Sequence, residues 1–164
     1  MNKKITTNEL NKKIGDILLT FGNLETAIST AILLLVSRIY ENKLVHVFKF
    51  IVSKNDARKN LEILDSFICS HTENVDVWKE CYKSLCGIFD KRNSLVHGMY
   101  FCDEKNIVRI GKKFNDMGIR IENKFSIAEL VDIERELNER YRQMFDSFID
   151  CESLWICKYP KIIL

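Results

Sequence analysis

A single proline, Pro160, and only six glycines stand among the 164 residues of this chain. With so few helix breakers, long helices are the default expectation. Cysteine is present, at six positions, but no C-x-x-C occurs and no Cys/His cluster has the spacing of zinc ligands. No metal site and no cofactor are therefore expected. Cys69, Cys81, Cys86, Cys102, Cys151 and Cys157 are read as free buried thiols of a reducing cytosol. The opening residues, MNKKITTNEL, lack the apolar core of a signal peptide, which points to the same cytoplasmic location. Ala27 to Val36 is the longest mostly apolar run. It falls short of the roughly 20 residues a bilayer span needs, so no membrane association is expected.

What is present is globular. Apolar residues make up 46% and charged residues 29%, a balance that is neither disordered nor fibrous. The length suits one domain with a real core, taken as 1–164. The net charge of +2 says little about partners, but its distribution says more. From Arg38 to Lys59 there are six Lys/Arg against two acids, and from Glu129 to Glu152 three against eight. The first stretch suits a polyanion and the second does not. The competing reading makes both ordinary solvated helix faces.

Thr6 and Glu9 have the spacing of a capping box. Leu10, Ile14, Ile17, Leu18, Phe21, Leu24, Ile28, Ile32 and Leu35 follow mostly in steps of three or four, one helical stripe that predicts a helix to about Arg38. Gly15 and Gly22 lie inside it. A shorter helix is predicted from about Leu44 to Val52. A turn at Ser53–Asp56 then leads to a third helix, with Leu61, Leu64, Phe67 and Ile68 on its apolar face, fading near His71. A fourth begins around Asn74 and carries Val75, Trp78, Tyr82, Leu85, Ile88 and Phe89 toward Arg92. After Gly98 the pattern changes to β-prone segments punctuated by turns at Asp103–Asn106 and Asn115–Gly118. Ser126 and Glu129 repeat the capping-box spacing and open a last helix that reaches about Lys158. The expected fold is mainly α: a helical bundle of about five helices with a small β-hairpin insertion, about 99–125, before the last helix.

The segment Lys91-Arg92-Asn93-Ser94-Leu95-Val96-His97-Gly98 ends the fourth helix and concentrates chemistry. Asn93 and His97 are four apart and share a face if the helix holds. Gly98 is placed to end the helix in a left-handed conformation. His97 then falls in the last turn, where the helix dipole favours an imidazolium suited to proton transfer. Arg92 keeps its proton at all working pH values and would neutralise charge building on a phosphate. Such a pair can cleave RNA without metal, the neighbouring ribose 2′-hydroxyl attacking phosphorus while His97 moves a proton. One histidine per motif supplies one proton-transfer group, so two chains facing each other would supply both acid and base.

Arg92, Asn93 and His97, in that order and spacing, resemble the motif of the HEPN superfamily (higher eukaryotes and prokaryotes nucleotide-binding domains). The Phe21-Gly22-Asn23-Leu24-Glu25 segment is similar to that family's early acidic position. The resemblance implies a four- or five-helix bundle and a metal-independent endoribonuclease acting as a homodimer. It also implies a toxin–antitoxin or antiviral defence setting, with an antitoxin or defence-system partner protein. Arg92 and His97 would be catalytic, with Asn93, Glu25 and Tyr100 in support. Family members regulated by nucleotide transfer carry Tyr two residues after the His, where this chain has Met99, and Tyr100 stands one place later.

Each residue also has a plainer reading. Arg92 and His97 are basic residues at a helix end, where carbonyls and the dipole attract them anyway. Glu25 is a helix-surface glutamate, and Tyr100 a strand-edge tyrosine packed on the bundle. Arg109, Lys112 and Lys113 meet RNA phosphates or form an ordinary charged hairpin. His46 reads as surface, His71 as a helix end, and Trp78 and Trp155 as core or interface. At the level of the whole chain, the alternative is a catalytically inactive helical dimer that binds a nucleotide or a partner protein.

Overall fold

The computed structural model describes residues 6–40, 42–71, 75–96, 99–102, 107–114, 120–125 and 127–158. Side chains are described for these residues except Ser94, Met99, 101–127, Phe145 and 147–158. The chain runs α1 (Thr7–Ile39), α2 (Val45–Lys54), α3 (Ala57–His71) and α4 (Asp76–Val96). Three strands follow, β1 (Met99–Cys102), β2 (Ile107–Phe114) and β3 (Arg120–Phe125), and then α5 (Ile127–Lys158). The strands pair antiparallel in the order β1-β2-β3, with Met99 opposite Ile110 and Ile107 opposite Phe125. The architecture that the described side chains establish is mainly helical, carried by five helices.

Each helix begins or ends where local chemistry dictates. At the start of α1, the Thr6 backbone N–H donates to Glu9 Oε2 at 3.0 Å and the Glu9 N–H donates to Thr6 Oγ1 at 3.2 Å. This is the reciprocal capping box read from the sequence, and it satisfies donors that the first turn leaves open. After Ile39 the chain turns through Asn42, whose φ of 65° is left-handed. Asparagine tolerates that conformation, and its side chain bonds the Ser37 hydroxyl. Asp56 opens α3 by accepting the Lys59 N–H at 2.9 Å. Ser126, the expected cap of α5, lies outside the described residues, as does Gly98.

By length and composition α1 is long and apolar enough to cross a membrane, which the shorter run within it is not. A buried core helix has the same composition, and Leu10, Ile17, Phe21, Leu24, Ile28, Ile32 and Leu35 are each at most 2% exposed.

The chain packs as two compact units, each drawn from separate stretches of sequence. The first unit is Met1–Phe21 with Gly87–Glu139. Its core holds Leu10, Ile17, Phe21, Ile88, Phe89, Leu95, Leu130 and Leu137. Phe21 and Phe89 meet edge to face, 4.9 Å between centroids. Lys13 pairs with Glu134 and Lys91 with Glu136, so acids of α5 are partly neutralised by α1 and α4.

The second unit is Gly22–Cys86 with Arg140–Leu164. Its core holds Leu24, Ile28, Ile32, Leu35, Leu61, Leu64, Ile68, Trp78 and Leu85. Within it α2 lies against α3 through an edge contact of Phe48 with Phe67, 5.5 Å between centroids. Asn60, only 4% exposed, adds a bond from Nδ2 to the Val52 carbonyl at 3.0 Å. That carbonyl belongs to the last turn of α2, so α3 caps α2 from the side. Trp78 is 1% exposed, and its indole N–H donates to Asp65 Oδ1 at 2.8 Å.

Candidate functional site

Arg92 stands one turn before the end of α4, on the half-buried side of that helix. Its guanidinium lies over the Phe21 ring, 5.5 Å from the centroid. Nη1 donates to Asn93 Oδ1 at 3.1 Å. Nε is buried and has no hydrogen-bond partner among the described residues. A guanidinium so held is fixed on one face by an aromatic ring and on one edge by an amide. Its unpartnered donor carries an unmet desolvation cost of about 1–3 kcal/mol, and a ligand oxygen would reach it only after the side chain shifts.

Asn93 is exposed and, through that bond, orients Arg92. Tyr100, half-buried on β1, donates its hydroxyl to the Leu95 carbonyl. That carbonyl is one of those the last turn of α4 leaves open, so Tyr100 ties the start of β1 to the end of α4. Lys91 faces Glu136 and is engaged there.

The first unit thus brings together Arg92, Asn93 and Tyr100 around the end of α4. His97, the second predicted catalytic residue, lies outside the described residues. Glu25, half-buried on α1, belongs to the second compact unit. Arg109, Lys112 and Lys113 fall on β2, and their side chains lie outside the described ones, as does that of Trp155. Among the described residues no three His, Cys, Asp or Glu side chains converge as metal ligands.

Two groups carry more than the sequence suggested. Phe21 reads as one more apolar residue of a stripe, yet it is the platform for Arg92; a separation of 71 positions in the chain hides that pairing. His71 reads as an isolated helix end. In the structure its Nδ1 sits 2.8 Å from the Phe67 carbonyl and its ring stacks on Phe67, 6.2 Å between centroids. It lines an open groove of 470 Å³ in the second unit, with Tyr40, Asn55 and Lys59. His46 is exposed on α2, as read. Of the described thiols, none forms a disulfide; Cys81 is buried and Cys86 half-buried, but Cys69 is exposed, which corrects its reading as a buried thiol.

Comparison with protein-family models, curated proteins and solved structures returned no match.

Proposed function

We propose that this protein is a metal-independent endoribonuclease of HEPN type, active as a cytoplasmic homodimer in a toxin–antitoxin or phage-defence setting. The observation that carries the reading is the state of Arg92: fixed by Phe21 and Asn93, with a buried Nε that no described residue satisfies. Arginine in a planar, pre-oriented fork is the side chain suited to a phosphodiester.

In this reading the scissile phosphate docks on Arg92. The 2′-oxygen attacks phosphorus, its proton passes to a base, the bond to the 5′-oxygen breaks, and that oxygen receives a proton. His97 of one chain serves as base or acid, and His97 of the second chain supplies the complementary step. Arg92 stabilises the charge that builds on the phosphoryl oxygens. The β segment of about 99–125 is a small insertion before the last helix. It contributes Tyr100 as a support of the site, and Arg109, Lys112 and Lys113 as phosphate contacts.

The alternative is an inactive helical dimer that binds a nucleotide or a partner protein. The same observation lends it some support, because an arginine held by a ring and an amide also serves as a packing element. RNA incubated in EDTA with wild type, Arg92→Ala and His97→Ala separates the two. Loss of cleavage in both variants, with folding retained, supports the enzyme. Equal cleavage by all three, or none by wild type on any RNA offered, removes it.

A further inference from the structure

The second unit carries a groove and a cationic edge that the Arg92 reading does not use. The groove, 470 Å³, falls within the roughly 300–1,000 Å³ typical of small-ligand clefts. Its lining residues include Tyr40, Phe67 and His71, and the Phe67 and His71 ring planes lie within 28° of each other. Asn55 supplies an amide, Glu62 a carboxylate and Lys59 an ammonium. Aromatic residues beside an amide and a carboxylate match a nucleobase, which offers a π-face and a hydrogen-bonding edge.

The surroundings match what is attached to a base. Lys54 immediately precedes Asn55, is exposed, and sits over the Phe50 ring at 5.7 Å. Phe50 itself is 65% exposed. Lys49, Arg58 and Lys59 are exposed as well. The outward side of α2 and the start of α3 therefore present cations interleaved with an aromatic ring, complementary to a phosphate-linked chain of bases. Symmetric pairing of this face with a second copy of itself would bring like charges together, which disfavours that occupant.

We propose that this groove and its lysine edge bind single-stranded RNA, one base between Tyr40 and the Phe67–His71 stack and flanking phosphates on Lys54 and Lys59. The proposal rests on the ribonuclease reading for the choice of RNA as the polymer. Binding is measured apart from cleavage, so each fails independently of the other.

The probe is a fluorescently labelled, single-stranded 2′-O-methyl oligoribonucleotide of mixed sequence, which 2′-hydroxyl attack cannot cut. Anisotropy titrations compare wild type with Tyr40→Ala and with Lys54→Glu/Lys59→Glu, each checked by circular dichroism for an unchanged melting curve. Tyr40→Ala is expected to weaken binding about tenfold, the scale of one lost base stack. The double lysine variant is expected to weaken it further and to flatten the slope of log affinity against log salt by about 1.4, two phosphate contacts on a single strand. Absence of binding by wild type overturns the proposal, as does equal binding by the variants. Capture of phosphatidylserine vesicles through Lys54 and Lys59, without capture of the oligonucleotide, assigns the face to an anionic membrane and also overturns it.

Discussion

The Arg92 guanidinium lies 5.5 Å from the centre of the Phe21 ring, and Phe21 in turn meets Phe89 edge to face. The position of the cation is thus tied to the core of the first unit: Phe21 is 2% exposed and Phe89 3%. A change in the core would move the site, and a change in the site need not disturb the core.

Arg92→Lys keeps the charge and loses the planar fork, so it gives up the Asn93 bond and the flat contact with Phe21. Stability in urea should change by less than about 1 kcal/mol, since the cation–π contact at a partly exposed site is worth about that much. RNA cleavage should fall about 100-fold or more, the scale of one lost transition-state donor. Phe21→Ala should lose both, about 3–5 kcal/mol in urea unfolding from the core cavity and cleavage as well, because the guanidinium loses its platform. Cleavage by Arg92→Lys at the wild-type rate would remove Arg92 from the chemistry.

Asn60→Ala removes the only described partner of the Val52 carbonyl that comes from outside α2. A buried acceptor left without its donor costs about 1–3 kcal/mol, and the loss should appear in chemical denaturation. Amide hydrogen exchange should rise first in α2, because that helix is short and its last turn is held from α3.

Gly15→Ala should raise stability. Gly15 lies within α1, and a methyl group added there meets nothing within 4 Å beyond its chain neighbours and its own helix backbone. The gain expected is about 0.5–1 kcal/mol, the difference in helix propensity between the two residues. A rise in melting temperature checks it, and a fall would mean that this part of α1 is covered in solution by a partner that needs the glycine.

Cys69 is exposed, but partial desolvation of its sulfur raises its pKa above the ordinary thiol value of 9.0, and the neighbouring Asp65 carboxylate adds to the rise. Raised in the folded state, the group leaves stability intact below the unfolded-state pKa. Its contribution is lost as pH climbs through the folded value, so folding stability should decline on the alkaline side. Iodoacetamide should label Cys69 more slowly at pH 8 than it labels a model peptide thiol, since less thiolate is present. Labelling at the peptide rate across that range would contradict the shift.

Secondary structure was largely legible in the sequence because its determinants are local. Thr6 and Glu9 are three residues apart, and their side chains close the capping box as the spacing predicts. The apolar stripe of α1 predicts a helix to about Arg38, and α1 ends at Ile39. Trp78 reads as core and is buried. Arg92 and Asn93 stood out for the same reason, being neighbours at a helix end. The partners that give those residues their geometry were not legible. Nothing in the stripe containing Phe21 distinguishes it from Leu24 or Ile28, and nothing near Asn60 announces a bond to Val52.

The sequence by itself determined where the helices lie, how α1 is capped and which short segment gathers an arginine, an asparagine and a histidine, because periodicity and capping act over one or two turns. Tertiary structure alone decided that Phe21 carries the Arg92 guanidinium, that α3 caps α2 through Asn60, and that His71 faces Tyr40 and Lys59 in a groove rather than standing alone. The physical reason is the range of the interactions. Stacking, side-on capping and groove formation join residues brought near by burial of many apolar side chains at once, and no spacing along the chain encodes which ones will meet.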